Sequence, residues 1–167
     1  MVSIKQLSDV SYSEFIHILK DIFEHSPWVP ERTWNYRPFS SIEDLHGKMA
    51  GRVNEASDEE KLRLIRAHPN LGTRLAMSNS SVQEQDNAGL SDLTAEEYEN
   101  FSQVNKQYME KFGFPFIMAV KGRTKGEIYE FMEKRIAHGV KDEYETALAE
   151  IEKIALFRLY EIIQNEE

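Results

Sequence analysis

Cysteine is absent from the chain, which excludes disulfides, thiolate nucleophiles and sulfur-ligated metal sites. The sequence also lacks a run of about 18 apolar residues, so it predicts no membrane-spanning helix. Near Met1 there is no basic segment followed by an apolar stretch, and residues 164–167 match no peroxisomal or lipidation signal. We therefore expect a cytoplasmic protein that does not associate with membranes.

Positive charge is scarce, because 20 lysines and arginines stand against 29 aspartates and glutamates, for a formal net charge of −9. A nucleic-acid partner needs a basic surface that neutralises phosphates, so we expect no nucleic-acid binding. An acidic surface also repels anions at long range. A site for an anionic substrate would therefore need a local arginine or a group of backbone amides.

A recurring helix start is the clearest pattern that the sequence does contain. In Ser/Thr-x-x-Glu the hydroxyl caps the third amide and the glutamate reaches back to the cap. Copies that precede apolar residues at helical spacing are Ser11/Glu14, Ser40/Glu43, Ser57/Glu60, Thr94/Glu97 and Thr124/Glu127. We therefore predict an all-α fold, with residues 1–167 forming a single compact multi-helix domain.

Apolar spacing also predicts where the helices lie. We expect helices over residues 12–25, through Ile42–Val53, over a short stretch ending near His68, and over residues 95–112, 124–139 and 142–164. Residues 28–38 are expected to form an aromatic connection. Phe114–Val120 is expected to be a buried, extended connection, because a single apolar run does not form a sheet alone.

The middle of the chain interrupts this helical pattern and carries candidate catalytic groups. Pro69 disfavours a helix at the preceding residue, so His68 stands at a helix end, where an imidazole can exchange a proton near neutral pH. One helical turn brings Ser81 beside Glu84 and Gln85. Structural alternatives stay open, since a lone histidine is more often structural and Ser81-x-x-Glu84 also fits a helix cap.

Arg158 occupies a core-facing position in the last predicted helix. It takes a slot in an apolar stripe formed by Tyr144, Leu148, Ile151, Ala155 and Ile162. Burying a guanidinium costs several kcal/mol, roughly, unless an anion meets it, and leucine in such a slot would stabilise the fold. Three alternatives stay open for Arg158: ligand binding, a pair with a structural glutamate, or a packed stem whose head reaches solvent.

Motifs for metals, phosphates and acyl transfer are missing. No His-Glu-x-x-His, phosphate loop or Gly-x-Ser-x-Gly is present, so we expect no metal ion. The residues alone predict a helical domain with a polar pocket of His68, Glu84 and Arg158. They leave the reaction open.

Several short motifs follow one another through nearly the whole chain. They are His68-Pro69-Asn70-Leu71-Gly72, Ser81-x-x-Glu84-Gln85, Ala88-Gly89-Leu90, Phe112–Ile117, Ala119–Gly122, Ala147–Ile151 and Arg158-Leu159. In this combination and order, the sequence resembles the 2-oxo-4-hydroxy-4-carboxy-5-ureidoimidazoline (OHCU) decarboxylases, enzymes of urate degradation.

The resemblance implies an all-α enzyme that decarboxylates OHCU to (S)-allantoin without a metal or organic cofactor. It implies that His68 and Glu84 are catalytic, with His68 as the proton donor. It also implies that Arg158 supplies positive charge to the site. The full set of implied substrate contacts is Pro69, Ser81, Val82, Gln83, Glu84, Gln85, Phe116, Ile117, Met118, Ala119, Val120 and Arg158.

The resemblance also bears on partners and on departures from the family pattern. Several members form dimers and some are fused to urate oxidase, so it allows a homodimer and a fusion or pathway link to that enzyme. Thr73 and Arg74 are less typical of the family, and we expect little effect from them. His138 stands near a position where asparagine is more usual, and we interpret it as structural.

Two other functions fit the same residues. A hydrolase acting on a related ureide would use His68 and Glu84 to activate water, and would normally need a metal or a second base. A non-catalytic helical binding module would instead use the pocket for binding alone. In that case, replacing His68 with alanine would change only local stability.

Overall fold

A computed structural model describes residues 1–72 and 79–164 of the chain, and these residues are mostly helical. The all-α prediction is therefore confirmed. The helices are α1 (Ile4–Asp9), α2 (Tyr12–Leu19), α3 (Trp28–Thr33), α4 (Ile42–Asn54), α5 (Asp58–Ala67), α6 (Asn79–Asn87), α7 (Ala95–Phe112), α8 (Lys125–Arg135) and α9 (Val140–Ile162). A 3₁₀ turn at Trp34–Tyr36 and the two-residue strands β1 (Val2–Ser3) and β2 (Ile163–Gln164) complete the described elements.

The chain divides into two compact units, each with its own buried side chains. The first unit is formed by Met1–Leu64 together with the chain from Glu152 onward, and Leu7, Phe15, Leu45 and Met49 lie in its core. The second unit is Ile65–Ile151, with a core that includes Phe101, Tyr108, Phe116, Ile128 and Met132. The expectation of one domain over residues 1–167 stays a prediction.

Most of the predicted helix starts are confirmed as hydroxyl caps. The side chains of Ser11, Ser57, Thr94 and Thr124 each accept a hydrogen bond from the amide three residues on. The prediction for Ser40 is wrong by one residue, because Ser41 accepts from the Asp44 amide while the Ser40 amide donates to the Asp44 carboxylate. Capping is a local interaction, which is why short sequence patterns predict it well.

The first predicted helix is shorter than expected. It ends at Leu19 and not near His25, and tighter turns follow, with the amide of Ile22 bonded to the carbonyl of Leu19 and the amide of Ser26 to that of Phe23. The Asp21 carbonyl accepts a hydrogen bond from Arg158 instead of continuing the helix. The carbonyl just beyond the helix is thus bound by a residue far along the chain, which the local sequence does not predict.

Two further boundaries differ from the predictions, and one connection is confirmed. Residues 28–38 were expected to be a connection, but Trp28–Thr33 forms α3, since its Pro30 lies in the first helical turn, where no amide donor is required. Helix α8 ends at Arg135 and passes into a turn before Gly139. Phe114–Val120 is a connection without regular structure, and nearly all of it is buried, as predicted.

The two short strands join distant parts of the first unit. Val2 pairs with Ile163 and Ser3 with Gln164 in a parallel arrangement. Among the helices of the described chain, none combines the length and the apolar character that crossing a membrane would require.

Candidate active site

The loop that carries His68 begins directly after α5. The His68 amide donates to the Ile65 carbonyl at 3.2 Å, and the helix ends at Ala67, as the following proline predicts. His68 itself is buried, with 7% of its surface exposed. Arg66, in the last turn of α5, donates to the Gly113 carbonyl at 3.1 Å and so links this turn to the end of α7.

Two buried amide side chains hold the backbone of this loop. The Gln85 Oε1 atom of α6 accepts from the Gly72 amide at 3.0 Å, and the Asn105 Nδ2 atom of α7 donates to the Leu71 carbonyl at 2.8 Å. Both side chains are only 6% exposed. Gln85 thus fixes the loop that follows His68, while its implied contact with substrate stays a prediction. Asn105 was not singled out from the sequence.

Helix α6 turns one polar face inward. Ser81 and Gln85, four residues apart, are buried and Glu84 is half-buried, whereas Val82 and Gln83 are exposed. This agrees with the helical turn that was predicted to join Ser81, Glu84 and Gln85. Because α6 begins at Asn79, Ser81 lies inside the helix, and its alternative interpretation as a helix cap is wrong.

The connection Phe114–Val120 presents its backbone in a buried setting. The Ile117 carbonyl accepts from Arg135 Nη1 at 2.6 Å, and the Ala119 amide donates to Glu150 Oε1 at 3.4 Å. The amides of Met118 and Val120 donate no hydrogen bond to any residue in the described ranges. Backbone donors in a buried segment almost always find a partner, so these amides are suited to bind a ligand or water.

A buried carboxylate behind this connection is the largest feature that the sequence interpretation missed. Glu143 Oε1 accepts from Tyr108 at 2.5 Å and from Arg135 Nε at 2.9 Å, while Glu143 Oε2 lies 3.0 Å from His138 Nδ1. Burial and the neighbouring Glu143 raise the pKa of the Tyr108 phenol well above its ordinary value, so Tyr108 remains a hydrogen-bond donor. The structural interpretation of His138 agrees with this contact.

Arg158 lies in the first unit and pairs with a carboxylate. Its Nη2 atom donates to Glu24 Oε2 at 3.0 Å and its Nη1 atom donates to the Asp21 carbonyl at 2.8 Å. The side chains of Arg158 and Glu24 are 4% and 0% exposed, respectively. The alternative in which the guanidinium reaches solvent is therefore wrong, and the pair with a structural glutamate is present. The implied contact of Arg158 with substrate stays a prediction.

Three other histidines lie in the first unit, and one of them, His25, has its Nε2 atom 3.6 Å from Glu24 Oε1. His17 and His25 are exposed, and His46 Nε2 lies 2.8 Å from the Glu152 carbonyl. Within residues 1–72 and 79–164, no group of three or more histidine, aspartate or glutamate side chains is arranged to hold a metal ion. Thr73 and Arg74 lie outside the described residues.

Gly72 gives a direct test of the loop's packing. Its φ is +71°, and an added Cβ would lie 3.0 Å from Leu93 Cδ1 and 3.3 Å from Phe101 Cγ. We expect Gly72→Ala to lower the free energy of unfolding by about 1–3 kcal/mol, because backbone strain and crowding combine. Urea denaturation measures this change.

Gly89→Ala is the matched control for that experiment. Gly89 also has a positive φ, of +79°, but an added Cβ there would meet no atom within 4 Å. Both variants therefore introduce backbone strain, but only Gly72→Ala also introduces crowding. We expect Gly89→Ala to lower the free energy of unfolding by less. Equal losses in the two variants would show that contacts with Leu93 and Phe101 do not matter.

The structure is an all-α fold in which buried polar side chains hold two irregular segments, the loop after His68 and the Phe114–Val120 connection. A family model described as OHCU decarboxylase matches residues 8–160, which is most of the chain. The chain therefore belongs to the OHCU decarboxylase family.

Three relatives give this membership its detail. The chain is 46% identical over its whole length to the uric acid degradation bifunctional protein of Bacillus sp. (strain TB-90), of which it covers 33%. It is 45% identical over 161 residues to the OHCU decarboxylase of Halalkalicoccus jeotgali, covering 96% of this chain and 92% of that one. A crystal structure of (S)-allantoin synthase aligns with a TM-score of 0.80 at 31% identity, covering 97% of this chain and 54% of that chain. The chain thus spans one third of the bifunctional relative and nearly all of the Halalkalicoccus jeotgali one.

Proposed function

We propose that this chain decarboxylates OHCU to (S)-allantoin as a step of urate degradation. The observation that carries the proposal is the family match over residues 8–160, together with 45% identity to a decarboxylase of nearly equal extent. The structural likeness to (S)-allantoin synthase over 97% of the chain supports the same product.

The chemistry explains which groups such an enzyme needs. The bond to the carboxylate carbon breaks, carbon dioxide leaves, and the electron pair passes into the adjoining C=N and C=O groups of the imidazoline ring. The ring carbon then gains one proton on one face. Because the substrate supplies its own electron sink, we propose that no metal or organic cofactor takes part.

We assign the proton delivery to His68 and the substrate contacts to Glu84, Ser81 and the backbone of the Phe116–Val120 segment. A positioned imidazole is a suitable general acid near neutral pH. Glu84 is half-buried on α6 and accepts hydrogen bonds from ureido or ring N–H groups, with Ser81 contributing a hydroxyl. Fixed backbone donors of the Phe116–Val120 segment stabilise charge as it develops.

We also propose a pathway link to urate oxidation. OHCU carries an oxidised urate skeleton, so an oxidising reaction must supply it. The match to a bifunctional uric acid degradation protein supports this placement, either through fusion or through consecutive reactions. The homodimer implied by the resemblance remains part of this proposal.

Circular dichroism of the allantoin formed from fresh OHCU tests the proposed function. We expect a single-handed signal that appears faster than the uncatalysed decay, which gives racemic allantoin. A racemic product at the uncatalysed rate would contradict the proposal and favour a binding module. Turnover of an allantoin-like ring without release of carbon dioxide would favour a hydrolase.

Glu84→Ala should weaken both binding and rate in this assay, because the variant removes an acceptor for the substrate's N–H groups. We expect kcat/KM to fall about 10- to 100-fold, the cost of one or two charge-assisted hydrogen bonds. Asp86→Ala is the matched control, since Asp86 is an exposed carboxylate on the same helix. Equal kcat/KM values in the two variants would show that Glu84 does not contact the substrate.

A further inference from the structure

Arg135 contacts both the backbone and a side chain of the connection that the proposed function uses. Its Nη1 atom donates to the Ile117 carbonyl at 2.6 Å, and its guanidinium carbon lies 4.2 Å from the centre of the Phe116 ring. The arginine side chain is 8% exposed. A single buried cation therefore determines how this part of the segment is oriented.

The guanidinium is itself held in one orientation. Its Nε atom donates to Glu143 Oε1, and Glu143 also accepts from Tyr108 of α7 and lies beside His138. The guanidinium is planar and presents its donors in a fixed fork. Once Nε is bonded to Glu143, the direction of Nη1 toward Ile117 is set.

Stability alone does not account for this arrangement. A buried ion pair is often replaced by apolar side chains with no loss of stability. Here the Arg135 Nη2 atom is also buried without a hydrogen-bond partner among the described residues, which adds to the cost of burying the group. What the Arg135–Glu143 pair provides is a fixed position for the Ile117 carbonyl.

Because the peptide unit is rigid, fixing the Ile117 carbonyl also fixes the direction of the Met118 N–H group. The Ile117 carbonyl and the Met118 N–H belong to one planar unit, in which the trans geometry points them in opposite directions. The next unit is held separately, because the Ala119 amide donates to Glu150. The Met118 amide makes no hydrogen bond to the described residues. Its N–H group therefore has a fixed direction and can still donate a hydrogen bond to a ligand.

We propose that Arg135 is a positioning residue for the decarboxylation, which holds the Ile117 carbonyl so that the Met118 amide points at a substrate oxygen. This inference rests on the proposed function and on the role assigned there to the Phe116–Val120 backbone. An amide aimed in advance at a ring oxygen stabilises the negative charge that develops there as the carbon–carbon bond breaks. Glu143 acts indirectly, by holding the Arg135 guanidinium in its orientation.

Arg135→Lys tests the proposal, because an ammonium group is a point donor that cannot span Glu143 and Ile117 in the same fixed geometry. We expect kcat to fall about 10- to 100-fold, the cost of a small misplacement at a reacting centre, with KM changed much less. In single-turnover reactions with excess enzyme, the (S) excess of the allantoin should also fall.

Two control variants separate positioning from general stability. Arg123→Lys makes the same substitution at an exposed arginine that pairs with Glu127, and should leave kinetics unchanged. Tyr108→Phe removes one hydrogen bond to Glu143 but leaves the Arg135 contact with Ile117 in place. It should lower Tm while kcat and the handedness of the product stay near those of wild type.

The outcomes distinguish this inference from the proposed function. Suppose that the wild type is active and that Arg135→Lys lowers Tm as Tyr108→Phe does, but leaves kcat and product handedness unchanged. This result would overturn the positioning role alone. A wild type that forms no allantoin faster than the uncatalysed reaction would overturn the proposed function and the role built on it. A fall in kcat and in (S) excess confined to Arg135→Lys would support both.

Discussion

Replacing His68 with alanine is expected to lower kcat for OHCU decarboxylation about 100- to 10,000-fold, the usual contribution of a positioned general acid. The proton that completes the reaction must reach one face of the ring, and the variant removes the group that delivers it. Because Gln85 and Asn105 hold the loop backbone after His68, the helical content should remain that of wild type. Steady-state kinetics and far-ultraviolet circular dichroism measure the two quantities.

Two variants make this result specific to the imidazole. His68→Asn keeps a buried polar side chain but offers no proton at neutral pH, so it should lose as much activity as His68→Ala. His17 is exposed on α2, and His17→Ala should keep wild-type kcat. Normal turnover in both His68 variants would exclude His68 from the chemistry and would favour a binding module.

Arg158→Leu is expected to destabilise the protein by about 3–5 kcal/mol, the cost of removing one partner from a buried ion pair. The Glu24 carboxylate, which is fully buried, loses the guanidinium that lies 3.0 Å away. The Asp21 carbonyl loses its donor as well. The apolar stripe alone predicts the opposite, since leucine fits it, so the contact with Glu24 reverses the sign of the expected effect. Urea denaturation measures it.

A double variant separates the pair's effect on stability from its effect on activity. Glu24→Leu combined with Arg158→Leu removes both charges, and should recover most of the loss because apolar replacement of a whole buried pair is often neutral. Four proteins complete the double-mutant cycle. A stable but inactive double variant would support the implied substrate contact of Arg158. A stable and fully active one would assign Arg158 to the fold alone.

Helix starts could be predicted from the sequence, whereas several helix ends could not. The caps at Ser11, Ser57, Thr94 and Thr124 depend on atoms three residues away, so a short pattern contains the whole interaction. The Asp21 carbonyl just beyond α2 is bound by Arg158, which lies 137 residues further along the chain. No local pattern contains that information.

The site shows the same division between local and distant contacts. Pro69 fixes the end of α5, so the position of His68 at a helix end followed from its neighbour. The hydrogen bond from Asn105 to the Leu71 carbonyl and the network around Glu143 depend on segments that only the fold brings together. One signal was nevertheless present: Arg135 shares an apolar stripe with Ile128 and Met132, which is the pattern that drew attention to Arg158.

The composition of the first unit affects the order in which the chain acquires its structure during synthesis. Met1–Leu64 leaves the ribosome first, but its partners begin at Glu152, and Val2 pairs with Ile163. Ile65–Ile151, in contrast, is continuous. N-terminal parts usually fold first during synthesis, but here we expect the central unit to complete its contacts before the first unit does. We expect the packing of Phe15 on Trp34 and Phe39 to be available early, whereas the pairing of Val2 with Ile163 and the contact of Arg158 with Glu24 form only after residues 152–164 are synthesised.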